Sequence, residues 1–244
     1  MQILVISDIH ANYEALDAVL HDSAGQYEAV WCLGDLVGYG PKPNECVERV
    51  KSLPGLTCLV GNHDKAVLGD LDINSFNNDA RTALEWTYHN LTPDNFRYLH
   101  SLPSITEVGA FTLAHASPRQ PIWEYILNRM IARENFAFFY SPYCLVGHTH
   151  VPVVFRESEL SDECDETLPD YTAPMKLNHQ RMIINPGSVG QPRDNNPFSS
   201  YALLDTDNGL WKYRRVPYNV ENTQHQMRSL GFPERLITRI AQGW

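Results

Sequence analysis

Three short apolar runs, at residues 3–6, 29–33 and 56–60, are separated by two stretches with the spacing of amphipathic helices. In the first stretch Ala15, Leu16, Val19 and Leu20 share one face behind Asn12, a residue suited to capping a helix. In the second, Pro43 opens the helix and Cys46, Val47, Val50 and Leu53 form its face. Apolar runs of four or five residues bounded by turn residues read as buried strands. Strands joined through helices of this length lie parallel, so the first sixty residues predict a parallel sheet covered by helices.

The middle of the chain is more helical. Ala80, Ala83, Leu84, Tyr88 and Leu91 mark one helix face, and Thr92-Pro93 starts a short helix through Leu99. Residues 105–108 and 110–114, around Gly109, predict a hairpin or paired edge strands. The aromatic segment 121–140 is expected to be mostly helical and to cover something. Strand signals return at 143–146, 151–155, 181–184, 199–204 and 210–216, the last two as a hairpin turning at Asn208-Gly209. These strands are short and closely spaced, which predicts a second, mixed or antiparallel sheet. Helices at 220–230 and 233–242 follow. No linker rich in Gly, Ser or Pro divides 1–115 from 143–215. The expectation is one domain over 1–244, with helical cover at about 66–101 and 119–141 and an acidic excursion at 157–170.

Composition narrows the function class. With 244 residues, 43% of them hydrophobic, the chain can bury a substantial core. Its formal charge is -10, but residues 157–170 hold seven acids and no Lys or Arg. The remaining 22 acids against 19 Lys+Arg leave -3. That balance argues against a long nucleic acid as partner but not against a small phosphoester. Five cysteines form no C-x-x-C pair, and Cys32, Cys58 and Cys144 sit inside apolar runs, which suits a reducing compartment. The start MQILVISD has no basic leader, and no stretch approaches eighteen apolar residues. A soluble cytoplasmic protein without membrane contact is expected, with homo-oligomer formation open.

The strand signals end on residues with chemistry. Asp8 and His10 follow the first run, Asp35 the second, and Asn62, His63 and Asp64 the third. His115 follows 110–114, and His148 and His150 follow 143–146. Carboxyl ends of parallel strands line one crevice in an α/β fold, where ligand sites form. Each fragment alone is ordinary, since a D-x-H can be a turn and a lone histidine partly buried packing. Five strands delivering Asp, His or Asn to one edge are not explained by solubility. Two carboxylates, one amide oxygen and four imidazoles suit two first-row divalent ions. No cysteine joins them, which disfavours a structural zinc or iron–sulfur site.

In order, D-x-H at 8–10, G-D at 34–35, G-N-H-D at 61–64, His115 and G-H-x-H at 147–150 resemble the calcineurin-like metallophosphoesterase superfamily. The likeness continues through N-P-G-S at 185–188 and points to small prokaryotic phosphoesterases of phosphodiesterase or diadenosine tetraphosphatase type. It implies a four-layer α/β/β/α sandwich with two facing mixed sheets. It further implies one ion on Asp8, His10 and His150, a second on Asn62, His115 and His148, and Asp35 bridging them. Mn, Fe, Zn, Co or Ni would serve, manganese foremost, because the histidines argue against a pure magnesium site. The implied reaction is attack of a metal-bridging hydroxide on a phosphodiester or small phosphorylated metabolite. His63 would donate the proton to the leaving group, with Asp64 either orienting its ring or capping the next segment.

One departure stands out. Serine/threonine protein phosphatases and bis-nucleoside tetraphosphatases usually continue the second motif as G-D-x-x-D-R-G, the Arg contacting phosphate. Here it reads GDLVGYG, with Val37, Gly38 and Tyr39 where that Asp-Arg would stand. Arg193, in GSVGQPRD, is the replacement the sequence offers. Asn12 suits a phosphate oxygen or a helix cap. Tyr39, Trp123 and Tyr125 suit stacking on a base or aromatic leaving group, or packing. Ser188 lacks a nucleophile elbow and is not expected to attack. The alternatives are a bis-nucleoside polyphosphate hydrolase, a phosphomonoesterase, and a non-catalytic scaffold that binds a protein; the last would be expected to have lost ligands.

Overall fold

The alternation of apolar residues along the strands sets the layers. In this computed structural model, which describes residues 1–158, 164–178 and 180–244, the first sheet contains β1 (Gln2–Ile6), β2 (Ala29–Cys32), β3 (Thr57–Cys58), β9 (Met175–Lys176), β11 (Ser199–Asp205) and β12 (Leu210–Val216). The second contains β4 (Ile105–Val108), β5 (Phe111–Ala114), β6 (Tyr143–Leu145), β7 (Val153–Glu157), β8 (Cys164–Thr167) and β10 (Met182–Asn185). Their orders are β3-β2-β1-β11-β12-β9 and β4-β5-β6-β10-β7-β8. Strands β1, β2 and β3 run parallel, as do β5, β6 and β10, while the flanking pairs are antiparallel.

Successive side chains on a strand point to opposite faces. Ile3, Val5, Trp31, Ala202, Leu204 and Trp211 from the first sheet therefore meet Phe111, Leu113, Leu145, Val154, Met182 and Ile184 from the second in one buried cluster. Leu4, Ile6, Val30 and Cys32 face the other way, onto α1 (Tyr13–Asp22) and α2 (Pro43–Lys51). Cys144, Phe155 and Ile183 form the outer face of the second sheet, under Ile126, Ala132, Phe136 and Phe139. The result is the expected four-layer α/β/β/α sandwich. Both α1 and α2 keep the predicted faces, and Asn12 caps α1 by accepting from Ala15 N at 3.3 Å.

Helices α4 (Asn78–Asn90) and α5 (Pro93–His100) form the expected cover after α3 (Asn62–Val67). Helices α7 (Val220–Ser229) and α8 (Glu234–Arg239) close the described chain. Among the described residues, no helix is long and apolar enough to cross a membrane. All five cysteines are buried free thiols.

One expectation needs correction and another an addition. Segment 121–140 is helical only at α6 (Arg129–Asn135) and in a short 3-10 turn at Phe136–Phe138. Its earlier part is held by side chains instead: Glu124 accepts from Ser117 Oγ at 2.7 Å, from Arg119 Nε at 3.0 Å and from Asn135 Nδ2 at 2.9 Å. The acidic stretch 157–170 is exposed at Asp165, Glu166 and Asp170, as expected, but it is also tied to the sheet. Glu157 pairs with both Arg133 and Arg181, and Cys164–Thr167 forms an edge strand on β7 with Cys164 buried. Residues 159–163 of that stretch lie outside the described residues.

Candidate functional site

The turns that follow the parallel strands carry the site. Asp8, His10, Asp35, His148 and His150 all adopt positive φ, between 51° and 64°. Such left-handed backbone costs on the order of 1–3 kcal/mol per non-glycine residue, and clusters where function demands it. Main-chain bonds between turns hold it: Asp8 N donates to Gly34 O at 3.1 Å, His10 N to Asp35 O at 2.9 Å, and Gly147 N to His115 O at 2.8 Å. Gly147 is needed for close approach, since a β-carbon there would lie 2.7 Å from Asp8 Oδ2. His148 N then donates to both Asp8 oxygens at 3.1 Å, joining the two sheets at their edge.

The buried side chains gather into two groups that share one member. Asp8, His10, Asp35 and His150 form the first, and Asp35, His115 and His148 the second, with ligand-type atoms within 4.8 Å of one another in each. Asn62 Oδ1 lies 3.1 Å from His115 Nε2, beside the second group.

Hydrogen bonding reveals what these groups lack. His10 Nδ1 faces Val37 O at 3.2 Å, His115 Nδ1 faces Leu33 O at 2.8 Å, and His150 Nδ1 faces Gln191 O at 2.6 Å. A carbonyl oxygen only accepts, so each Nδ1 carries the proton and each neutral ring presents an Nε2 lone pair. Yet His10 Nε2 and His150 Nε2 stand 3.0 Å apart, and Asp35 Oδ2 is 3.5 Å from both His10 Nε2 and His115 Nε2. Asp35 Oδ2 and His148 Nε2 are buried without a hydrogen-bond partner. Acceptors thus face acceptors, an arrangement that a cation resolves. Burial holds the His10, His148 and His150 rings well below the usual histidine range, in the neutral form a cation needs. Burial also pushes the Asp8 carboxyl up to about 7, and burial with the Asp64 charge raises Asp35 well above its ordinary value. This nitrogen–oxygen donor set fits divalent first-row ions.

The other predicted residues divide. His63 lies in the first turn of α3, where its N–H donates to Asp35 Oδ1 at 2.9 Å. Its buried ring packs on Tyr39 (4.3 Å between centroids), His10 (4.8 Å) and Phe76 (5.1 Å), and Nδ1 has no hydrogen-bond partner. Asp64 does not orient that ring through Nδ1. Its oxygens accept from Val37 N at 3.0 Å and Gly61 N at 2.9 Å, capping α3 and tying two ligand turns together. Asn12 serves as the helix cap: Nδ2 donates to Gly190 O at 2.8 Å and Oδ1 accepts from Ala15 N and Thr223 Oγ1.

Tyr39 is 6% exposed and lines the site beneath other side chains, whereas Trp123 and Tyr125 are each 39% exposed. Tyr125 stacks on His148 at 3.8 Å. Arg193 Nη2 donates to Gln191 Oε1 at 2.9 Å and approaches Tyr39 OH at 3.5 Å. Ser188 Oγ donates to Asp8 O and accepts from Gln191 N, a purely supporting role. Sequence reasoning missed the carbonyls of Leu33, Val37 and Gln191, which set the histidine tautomers; main-chain groups leave no residue-type signal.

The chain matches the model of the calcineurin-like phosphoesterase superfamily domain over residues 1–209. It is 37% identical to an uncharacterized protein of Methanocaldococcus jannaschii, over 99% of this chain and 98% of that one. It superposes on the crystal structure of a metallophosphoesterase from Sphaerobacter thermophilus with a TM-score of 0.91, 48% identity and full coverage of both chains. A symmetrical bis(5'-nucleosyl)-tetraphosphatase of Vibrio campbellii is 27% identical, over 55% of this chain and 51% of its own. With these metal-type donors gathered at one sheet edge and residues 1–209 matched, the chain belongs to the calcineurin-like phosphoesterase superfamily.

Proposed function

We propose that the protein hydrolyses a phosphodiester or small phosphorylated metabolite at a site built on two divalent ions. The observation that carries this reading is the pair of ligand groups sharing Asp35, with lone pairs of His10 and His150 directed at one point. Asp8, His10 and His150 would hold one ion, Asn62, His115 and His148 the other, and Asp35 both. Bound there, two ions supply Lewis-acid polarisation of phosphoryl oxygens and a water acidified to near neutrality. The rest falls to the chain. Asp8 and Asp35 supply the negative charge that balances the cations, and the carbonyls of Val37, Leu33 and Gln191 fix ring orientation. His63, packed between Tyr39 and Phe76 beside Asp35, gives a proton to the leaving-group oxygen. Arg193 positions a phosphoryl oxygen from the opposite turn.

A bis-nucleoside polyphosphate hydrolase is the second reading, favoured by relatives of that name that match about half of the chain. A scaffold role is disfavoured because all seven ligand positions and His63 are present. The test is turnover after reconstitution with each metal, on bis(p-nitrophenyl) phosphate, p-nitrophenyl phosphate, 2′,3′-cyclic nucleotides and diadenosine polyphosphates. Metal-dependent hydrolysis of a diester is expected. A fully metallated protein that cleaves none of them would overturn the reading.

A further inference from the structure

Two guanidinium groups converge on one ring beside His63. The Cζ atoms of Arg193 and Arg239 lie 5.8 and 5.9 Å from the Tyr39 centroid, and that ring is 4.3 Å from His63. Arg239 lies on α8, beyond residues 1–209 that match the family. Its position is set by packing: Leu236, Ile237 and Ile240 are buried in one cluster with Tyr39. The same segment is tied to the Arg193 loop, because Asn195 N donates to Gly243 O at 2.8 Å and Arg239 Nε donates to Trp244 O at 2.6 Å.

Like charges held together ordinarily have a carboxylate between them. Among the described residues, neither arginine forms an ion pair with an aspartate or glutamate. Arg193 Nε is buried without a partner. Burial, and then the Arg193 charge, push Arg239 down to about 10, so it remains a cation at neutral pH. Arg193 Nη2 is engaged with Gln191 and Tyr39 and Arg239 Nε with Trp244 O, and Asp79 acts on Arg239 only through space. The remaining N–H groups of both forks, Arg193 Nε among them, offer the chemistry that binds phosphoryl oxygens in a bidentate manner.

We infer that Arg193 and Arg239 form an anion subsite beside His63, and that the substrate carries a second phosphoryl group next to the phosphoester that is cleaved. This rests on the phosphoesterase reading and extends it to a substrate class, organic di- and polyphosphates. Arg239 is the specificity-determining member, contributed by a helix outside the family-matched residues.

Calorimetric binding of AMP and ADP to the metal-loaded protein isolates one phosphoryl group with the base held constant. The wild type should prefer ADP by roughly ten- to hundredfold, the worth of a charge-assisted contact. Arg239→Ala should abolish the preference, and Arg239→Lys should restore part of it. Equal affinity of the wild type for both nucleotides would overturn the inference. So would equal weakening of both by Arg239→Ala, which would make the residue structural. If Arg239→Ala does not fold, Arg239→Gln carries the same comparison. Turnover is not needed, so loss of the phosphoesterase reading would show separately, as a failure to cleave any diester.

Discussion

Asp35 lies so close against Gly61 that a β-carbon on Gly61 would sit 2.5 Å from Asp35 N and 2.6 Å from Asp35 Cγ. The glycine of G-N-H-D is thus part of what positions the residue shared by both ligand groups. Gly61→Ala should displace Asp35 without deleting a ligand. Metal content after reconstitution should fall below two ions per chain. The overpacking should cost about 1–3 kcal/mol, seen as a lower Tm. Full metal content in a folded variant would contradict the placement.

His63 contacts His10 and Asp35 without belonging to either ligand group. His63→Asn should lower kcat by roughly 10²–10⁴-fold while two metals stay bound. Unchanged turnover would remove the proton-donor role, and loss of metals would make the ring structural.

Asp64 should behave differently from His63. Its carboxylate accepts from two buried main-chain N–H groups, at Val37 and Gly61. Asp64→Ala strands both, at about 1–3 kcal/mol each, so its main effect should be on Tm. A large loss of kcat with unchanged Tm would contradict this.

The network at Glu124 adds a pH signature outside the site. Burial works against its charge, but hydrogen bonds from Arg119, Asn135 and Ser117 prevail and hold the carboxyl at about 2. A depressed folded pKa adds stability above the ordinary carboxylate range, and that stability is lost as pH falls toward 2. Glu124→Gln should therefore lower Tm at neutral pH, with the difference from wild type closing under acid. A difference that grows on acidification would contradict the sign.

Much of this architecture was legible in the sequence because the relevant signals are local. The runs around Ile3 and Val30 end in turns whose Asp and His types announce chemistry, and the caps at Asn12 and Thr92 stand where expected. What was hidden depends on partners far along the chain. Glu157 meets Arg133 and Arg181 across 24 residues in each direction, which turns an acidic stretch into a braced strand end. Trp123 and Tyr125 sit in irregular chain because Glu124 is bonded to Ser117, Arg119 and Asn135, a network no periodicity reports. The bonds of Asn12 to Gly190 and Thr223, far away in sequence, could not be read from its place before a helix. Arg239 looked like any basic residue on a helix until packing brought it to Tyr39.

In the proposed centre two cations share Asp35. Crystals soaked in manganese, with anomalous scattering recorded, test it most directly. Two peaks about 3.5–4 Å apart are expected, with Asp35 between them, His10 and His150 on one and His115 and His148 on the other. A single peak, or two that do not share Asp35, would contradict the account.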